Sequence, residues 1–366
     1  MSYVTEIALV LVVVAAACAL PGVFLVLRRV ALVSDAIGHV LLFGIVLAYF
    51  VTRDLDSPWL LLGAAATGVL TVALVELLQR TRLVKEDAAI GLVFPALFAA
   101  GVLLASVYLR NTHLDVDSVL LGDPNLATEP RWSVAGVAVK PLAVMGAVLG
   151  LNLTLLVVFF KELKLTTFDP ALATTLGFRP GLVHYALMTV VSVTAVAAFD
   201  VVGPVLVVAF FVVPAAAAYL LTDRLGVMLG LAAGIGAAGA WVGTRAAVRL
   251  DTNVAGTVAT ALGVLFALAF VFAPGRGLLA QFARRWRQAR AFHETLLTIH
   301  LLQHENTAAE ADESRSDRLH THLRWAAGDA AGVVRRATRH GLVTRAGDLL
   351  KLTESGRVRA REMLQV

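Results

Sequence analysis

The sequence lacks most of what stabilises a soluble or secreted protein. It has one cysteine, Cys18, in 366 residues, which excludes an internal disulfide and a cysteine-based zinc site. Cys18 lies in an apolar run, where a buried bystander is expected. Charge is also scarce: Asp, Glu, Lys and Arg make up 16% of the chain, against about 25% in soluble domains. No Gly-x-x-x-x-Gly-Lys-Ser/Thr occurs, nor any Gly-Lys pair, so the chain has no phosphate loop with which to use ATP itself. No Ser–His–Asp or Cys–His arrangement points to hydrolysis. The first apolar run has no Lys or Arg before it, and Glu6 is the only charge in the first 20 residues. A secretory signal needs a positive start. The run continues to Leu27 and stops at Arg28-Arg29, so it reads as a membrane span.

What is abundant is apolar surface. The chain is 58% hydrophobic, with a mean hydropathy of +0.80, more than a soluble fold could hide. A spanning helix needs roughly 20 apolar residues. Nine runs qualify: 5–27, 31–51, 58–79, 88–109, 133–160, 181–199, 201–221, 225–247 and 254–273. The sixth and seventh can also be read as one broken feature, interrupted by Asp200, Gly203 and Pro204. The expected fold is an all-α polytopic membrane protein of about 8–9 spans, with a small α/β domain at the C-terminus. Residues 1–275 carry 15 Lys/Arg against 16 Asp/Glu, and residues 276–366 carry 16 against 10. With the N-terminus outside, the inner loops hold nine Lys/Arg and the outer side six. The basic tail falls on the inner side, as positive charge in short loops requires.

A charge within a span is costly and raises a functional question. Ser34-Asp35-Ala36-Ile37-Gly38-His39 lies in the second run, and residues four apart share one helix face. A carboxylate oxygen and an imidazole nitrogen suit manganese, iron or zinc better than calcium or copper(I). The spacing equally allows an Asp–His ion pair that joins two helices. Two ligands are too few for a site, and Asp200, His113 and Asp115, with Asp117, are further candidates; the latter three also read as a solvated loop. Phe168–Gly177 has Pro170 where a helix would start and Gly177 where it would stop. This is a short helix across the membrane face, or else an ordinary amphipathic connector.

Several of these segments, in order, resemble the permeases of manganese/zinc/iron ATP-binding-cassette importers. Arg28-Arg29-Val30-Ala31-Leu32-Val33-Ser34-Asp35-Ala36-Ile37-Gly38-His39 carries the resemblance, as do Lys85–Gly91, Phe168-Asp169-Pro170 with Ala173 and Gly177, Val202–Val208 with Pro214-Ala215-Ala216, and Asp251-Thr252. It covers roughly residues 5–275. It implies that Asp35 and His39 coordinate the transported metal, and that Phe168, Asp169, Pro170, Ala173 and Gly177 form the loop that docks on a separate cytoplasmic ATPase subunit. It also implies an extracytoplasmic metal-binding protein as partner, a homodimer, and a place in the cell membrane with the tail in the cytoplasm. Gly38 stands where that family usually has Ser or Thr, and Pro204 where it usually has an aliphatic residue. Manganese, iron or zinc is then substrate, and no tightly bound cofactor is expected. Two other readings remain at this point: a membrane-tethered metal-responsive regulator, and a proton-coupled secondary metal transporter.

The tail divides into a basic juxtamembrane segment with a helix and linker, 276–317, and a small domain, 318–366. Arg284, Arg285, Trp286, Arg287 and Arg290 suit an anionic lipid surface. The pattern after Gly328 reads as helix, turn at Gly347-Asp348, strand 349–352 and a last helix. It resembles the winged-helix domain of iron- and manganese-dependent repressors. His300 and His304 form an i,i+4 pair able to hold metal, and Arg335, Arg336 and Arg339 could meet phosphates. Protein contact is expected of this domain ahead of metal sensing, and nucleic acid is the least expected partner.

Overall fold

The computed structural model describes residues 3–53, 57, 59–108, 133–134 and 137–364. The chain forms two compact units, Met1–Gly277 and Leu278–Val366.

The first unit is a helical bundle. Its helices are α1 (Tyr3–Leu27), α2 (Leu32–Thr52), α3 (Trp59–Arg80), α4 (Glu86–Tyr108), α5 (Val139–Val158), α6 (Phe160–Phe168), α7 (Pro170–Thr175), α8 (Pro180–Leu221), α9 (Leu225–Leu250) and α10 (Val254–Phe272). A two-stranded ribbon, β1 (Ser133–Val134) and β2 (Val137–Ala138), precedes α5. Among the described residues, eight helices are long and apolar enough to cross a membrane. The protein is therefore a multi-pass membrane protein. Exposed Leu92, Leu103, Val157 and Phe272 on the bundle's outside are a surface for lipid, not water.

The sixth and seventh apolar runs are joined in α8. At 42 residues it would extend about 63 Å if straight, twice the apolar thickness of a bilayer. It is not straight: Gly203 has φ 74° and ψ 167°, a conformation essentially confined to glycine. Pro204 follows and cannot supply an amide hydrogen. The parts on either side, 180–202 and 204–221, are each long enough to span.

α1 is the centre of the bundle and is buried along most of its length. It packs on α5, α8 and α9. Small residues let backbones approach without a hydrophobic driving force: Gly22 lies against the Phe211 backbone, and Ala15 against Gly236. One buried amide ties three helices together. The side-chain nitrogen of Asn152 donates to the Ala17 carbonyl at 3.0 Å and to the Thr194 hydroxyl at 2.9 Å.

The second unit contains α11 (Leu278–His304), α12 (Glu310–Glu313), α13 (Leu319–His322), α14 (Ala327–Arg339), β3 (Val343–Ala346), β4 (Leu349–Leu352) and α15 (Glu354–Leu364). β3 and β4 form an antiparallel hairpin that pairs Val343 with Leu352 and Ala346 with Leu349. The turn between them has Gly347 at φ 66°. Arg315 bridges to Leu349 from the other side. Leu297, Leu301, Leu319, Val333, Ala337, Leu342 and Leu350 form its apolar core. α11 belongs to this core, so the juxtamembrane helix and the small domain fold around one another.

Candidate metal pathway and coupling loop

Asp35 and His39 do meet on α2. The His39 Nε2 lies 3.4 Å from the Asp35 Oδ1. They occupy the first two turns of the helix, not its middle. The chain turns at Arg29, whose φ is 63°, and α2 begins only at Leu32. Each side chain is roughly two-fifths exposed, 45% for Asp35 and 38% for His39. The alternate face of the same turns, with Ser34 and Ile37, is fully buried. The His39 ring is stacked on Phe94 at 5.7 Å and meets the edge of Phe98 at 6.0 Å, both from α4. This apolar wall fixes the imidazole plane and leaves its polar edge toward Asp35. Substitution at Gly38 meets open space, because no atom lies within 4 Å of a side chain built there.

Among the described residues, no third His, Cys, Asp or Glu joins this pair as a three-ligand cluster. Asp200 is exposed, three residues before the break in α8. His113, Asp115 and Asp117 lie outside the described residues. One chain thus presents a carboxylate and an imidazole side by side on an accessible face.

The loop 168–177 forms the expected short helix. The Asp169 carboxylate caps it by accepting from the Leu172 amide at 2.9 Å, with Pro170 at the first helical position. At the other end the Phe178 amide reaches the Ala173 carbonyl and the Gly177 amide the Thr174 carbonyl, both at 3.0 Å. Gly177 has φ 87°, the left-handed residue that such a stop requires. Ala173 is completely buried, whereas Phe168, Leu172 and Leu176 are exposed. The helix therefore sits firmly on the bundle and presents three apolar side chains outward.

An unforeseen contact links this loop to the segment that leads into α2. The Arg28 guanidinium donates to the hydroxyls of Thr167 at 3.1 Å and Thr166 at 3.0 Å, both on α6. Nothing in the sequence spacing signals a contact across 138 residues. Beside it, a cavity of about 420 Å³ is lined by Leu20, Leu156, Phe159, Glu162, Phe178 and Arg179. One Glu162 carboxylate oxygen there is buried without a hydrogen-bond partner.

In the second unit, His300 and His304 meet with ring centroids 4.9 Å apart. The three arginines of α14 divide: Arg335 and Arg339 are exposed, whereas the Arg336 Nε donates to Glu294 at 3.2 Å. Glu294 is buried and also faces His340 Nδ1 at 2.8 Å. Arg336 therefore holds α14 onto α11.

Comparison with known proteins places the chain in a family. Residues 1–273 match the model of the ABC 3 transport family. The zinc transport system membrane protein TroD of Treponema pallidum is 48% identical over 370 residues, covering 99% of both chains. The similarity thus includes the tail. The manganese transport system membrane protein MntD of Bacillus subtilis is 47% identical over 272 residues, 74% of this chain and 92% of that one. Among solved structures, PsaBC from Streptococcus pneumoniae in complex with Fab superposes with a TM-score of 0.63 at 26% identity, over 75% of this chain and 94% of that one. The apolar bundle, the Asp35/His39 pair, the capped loop helix and these matches lead to one conclusion: this chain belongs to the ABC 3 transport family.

Proposed function

We propose that the chain is the permease subunit of an ATP-driven importer for a divalent transition metal, with Asp35 and His39 as ligands to the passing ion. The observation that carries this is their placement: an oxygen and a nitrogen donor 3.4 Å apart, half exposed, against an aromatic wall. Relatives bear names of zinc and manganese transport proteins, and an N/O ligand set suits both, with iron.

Two donors grip a cation poorly. A second copy of the chain, related by a two-fold axis along the exposed face of α2, would bring a second Asp–His pair and give four ligands. A two-fold homodimer uses the same patch on both subunits, so the half-exposed pair is where such an axis would pass. Alternating access follows if helix movement separates the two pairs and releases the ion inward.

The driving force comes from a separate ATPase. The exposed Phe168, Leu172 and Leu176 offer an apolar knob for a groove on that subunit. The buried Ala173 and the Arg28–Thr166/Thr167 contacts pass its displacement to the segment that leads into α2. On this reading the loop and the tail are cytoplasmic, and an extracytoplasmic binding protein delivers metal to the opposite face. The helix, hairpin and helix of α14, β3, β4 and α15 form a winged-helix unit used for protein contact. The inward-turned Arg336 disfavours a phosphate-binding role.

Metal uptake by the complex reconstituted in vesicles tests this directly. Asp35→Ala and His39→Ala are expected to abolish uptake while the protein remains inserted and assembled. Undiminished uptake by both variants would sink the assignment.

A further inference from the structure

The geometry points to a second metal site, wholly within the C-terminal unit: His300, His304 and Glu313, with His322 as fourth ligand, binding one zinc-like divalent cation. It is independent of the transport pair and shares no residue with it.

His300 and His304 occupy successive turns of α11, so their imidazoles project from one face. Glu313 ends α12, which folds back over that face. One ligand atom from each of these three residues lies within 4.8 Å of the others. The His300 Nε2 is 3.4 Å from the Glu313 Oε2, and the His322 Nδ1, from α13, is 3.0 Å from the same oxygen. His322 also lies over His300, with ring centroids 6.2 Å apart. A tetrahedral zinc with bonds of about 2.05 Å has ligand atoms about 3.3 Å apart. The two carboxylate spacings are already close to that value, and among His300, His304 and Glu313 the rest close with movements of about 1.5 Å at most.

The chemistry favours a cation over a network of hydrogen bonds. Three imidazoles lie around one carboxylate, a set of nitrogen and oxygen donors on three separate elements that a cation can gather. His322 turns its Nδ1, not its Nε2, to the Glu313 carboxylate, so the nitrogen nearest the cluster is the one that can join it. Three nitrogens and one carboxylate oxygen, with no sulfur, suit a borderline ion such as zinc and are poor for calcium or magnesium. The ion would join three elements, α11, α12 and α13, of which α12 and α13 are only four residues each. Binding should therefore stiffen the connection between α11 and the hairpin unit.

The full chain, purified in detergent, carries the test. Asp35→Ala/His39→Ala is the background, so that zinc held by the membrane pair does not count and failure of the transport reading cannot mimic failure here. Zinc chloride is titrated against a competing chromophoric chelator. We expect one zinc per chain, a zinc-dependent rise in thermal midpoint, and an X-ray absorption shell of nitrogen and oxygen only. His304→Gln, at a half-buried ring, and Glu313→Gln should each weaken binding at least tenfold and remove the thermal shift. His320→Ala, an exposed neighbour outside the cluster, should leave both unchanged. No zinc in the background protein, or binding indifferent to His304→Gln and Glu313→Gln, or an equal loss on His320→Ala, would overturn the site.

Discussion

Replacing Gly203 by alanine tests whether the break in α8 is fixed by the backbone. The residue sits at φ 74°, ψ 167°, where a Cβ costs about 1–3 kcal/mol. Alanine has two ways out. It can bear the strain, or it can turn φ negative. Pro204 denies it the helical region and leaves only extended geometry, so the second route swings residues 204–221 away from their present course. That course buries Phe210 and Phe211 completely, and losing even one such ring costs about 3–5 kcal/mol. Strain is the cheaper response. Gly203→Ala should thus keep the fold and lose about 1–3 kcal/mol, a fall in thermal midpoint on the order of 2–10 °C. Heating the detergent-solubilised protein and following the monodisperse fraction by size exclusion measures it. Gly146→Ala is the control: it lies in a helix with no atom within 4 Å of an added methyl, and should gain up to about 1 kcal/mol. Equal midpoints for Gly203→Ala and wild type would refute the left-handed break.

Three further outcomes follow from the same structure. Asp169→Ala removes the cap of α7 and should cost that helix about 0.5–2 kcal/mol, lowering metal-stimulated ATPase coupling in the assembled complex while leaving insertion intact; unchanged coupling would show that the loop does not transmit force. Asn152→Ala removes two buried hydrogen bonds between α1, α5 and α8 and should destabilise the bundle by about 1 kcal/mol, the usual scale for polar contacts inside membranes, read as a drop in thermal midpoint. In the second unit, the Arg357 guanidinium donates to Glu305 at 2.7 Å and holds its carboxyl below the usual carboxylate range, with help from Arg361. A lowered folded pKa gives stability that is complete above the unfolded value of 4.5 and fades as the pH falls through the lower folded value. Arg357→Gln should therefore lower the thermal midpoint near neutral pH and match wild type once the pH is low enough to protonate Glu305 in both states; a gap that persisted there would contradict the linkage.

The apolar runs revealed the bundle because an uninterrupted stretch of about 20 apolar residues has few other uses. The broken sixth and seventh runs were legible for the same reason that α8 is broken: Gly203 and Pro204 stand where no straight helix could keep them. The spacing of Asp35 and His39 placed them on one face, but not at their depth. Depth depends on where α2 starts, and that is set by the turn at Arg29, a backbone conformation no hydropathy reveals. In the tail, the helix, the turn at Gly347-Asp348, one strand and the last helix were readable, whereas the short β3 pairs only through the hairpin and carries no signal of its own. Contacts between distant segments stayed hidden. Arg28 reads as a membrane-edge charge and is in fact a hydrogen-bond donor to α6. Glu313 lies in a stretch that reads as an acidic loop, and only folding brings it to His300.

The half-exposed Asp35/His39 pair has a consequence for biogenesis. On the proposed reading, a newly inserted single copy would hold only part of a coordination shell, with little ability to conduct or hoard metal on its own. Affinity would then be a property of the finished assembly, and a stray subunit in the bilayer would leave the cell's ion balance untouched until its counterpart arrived.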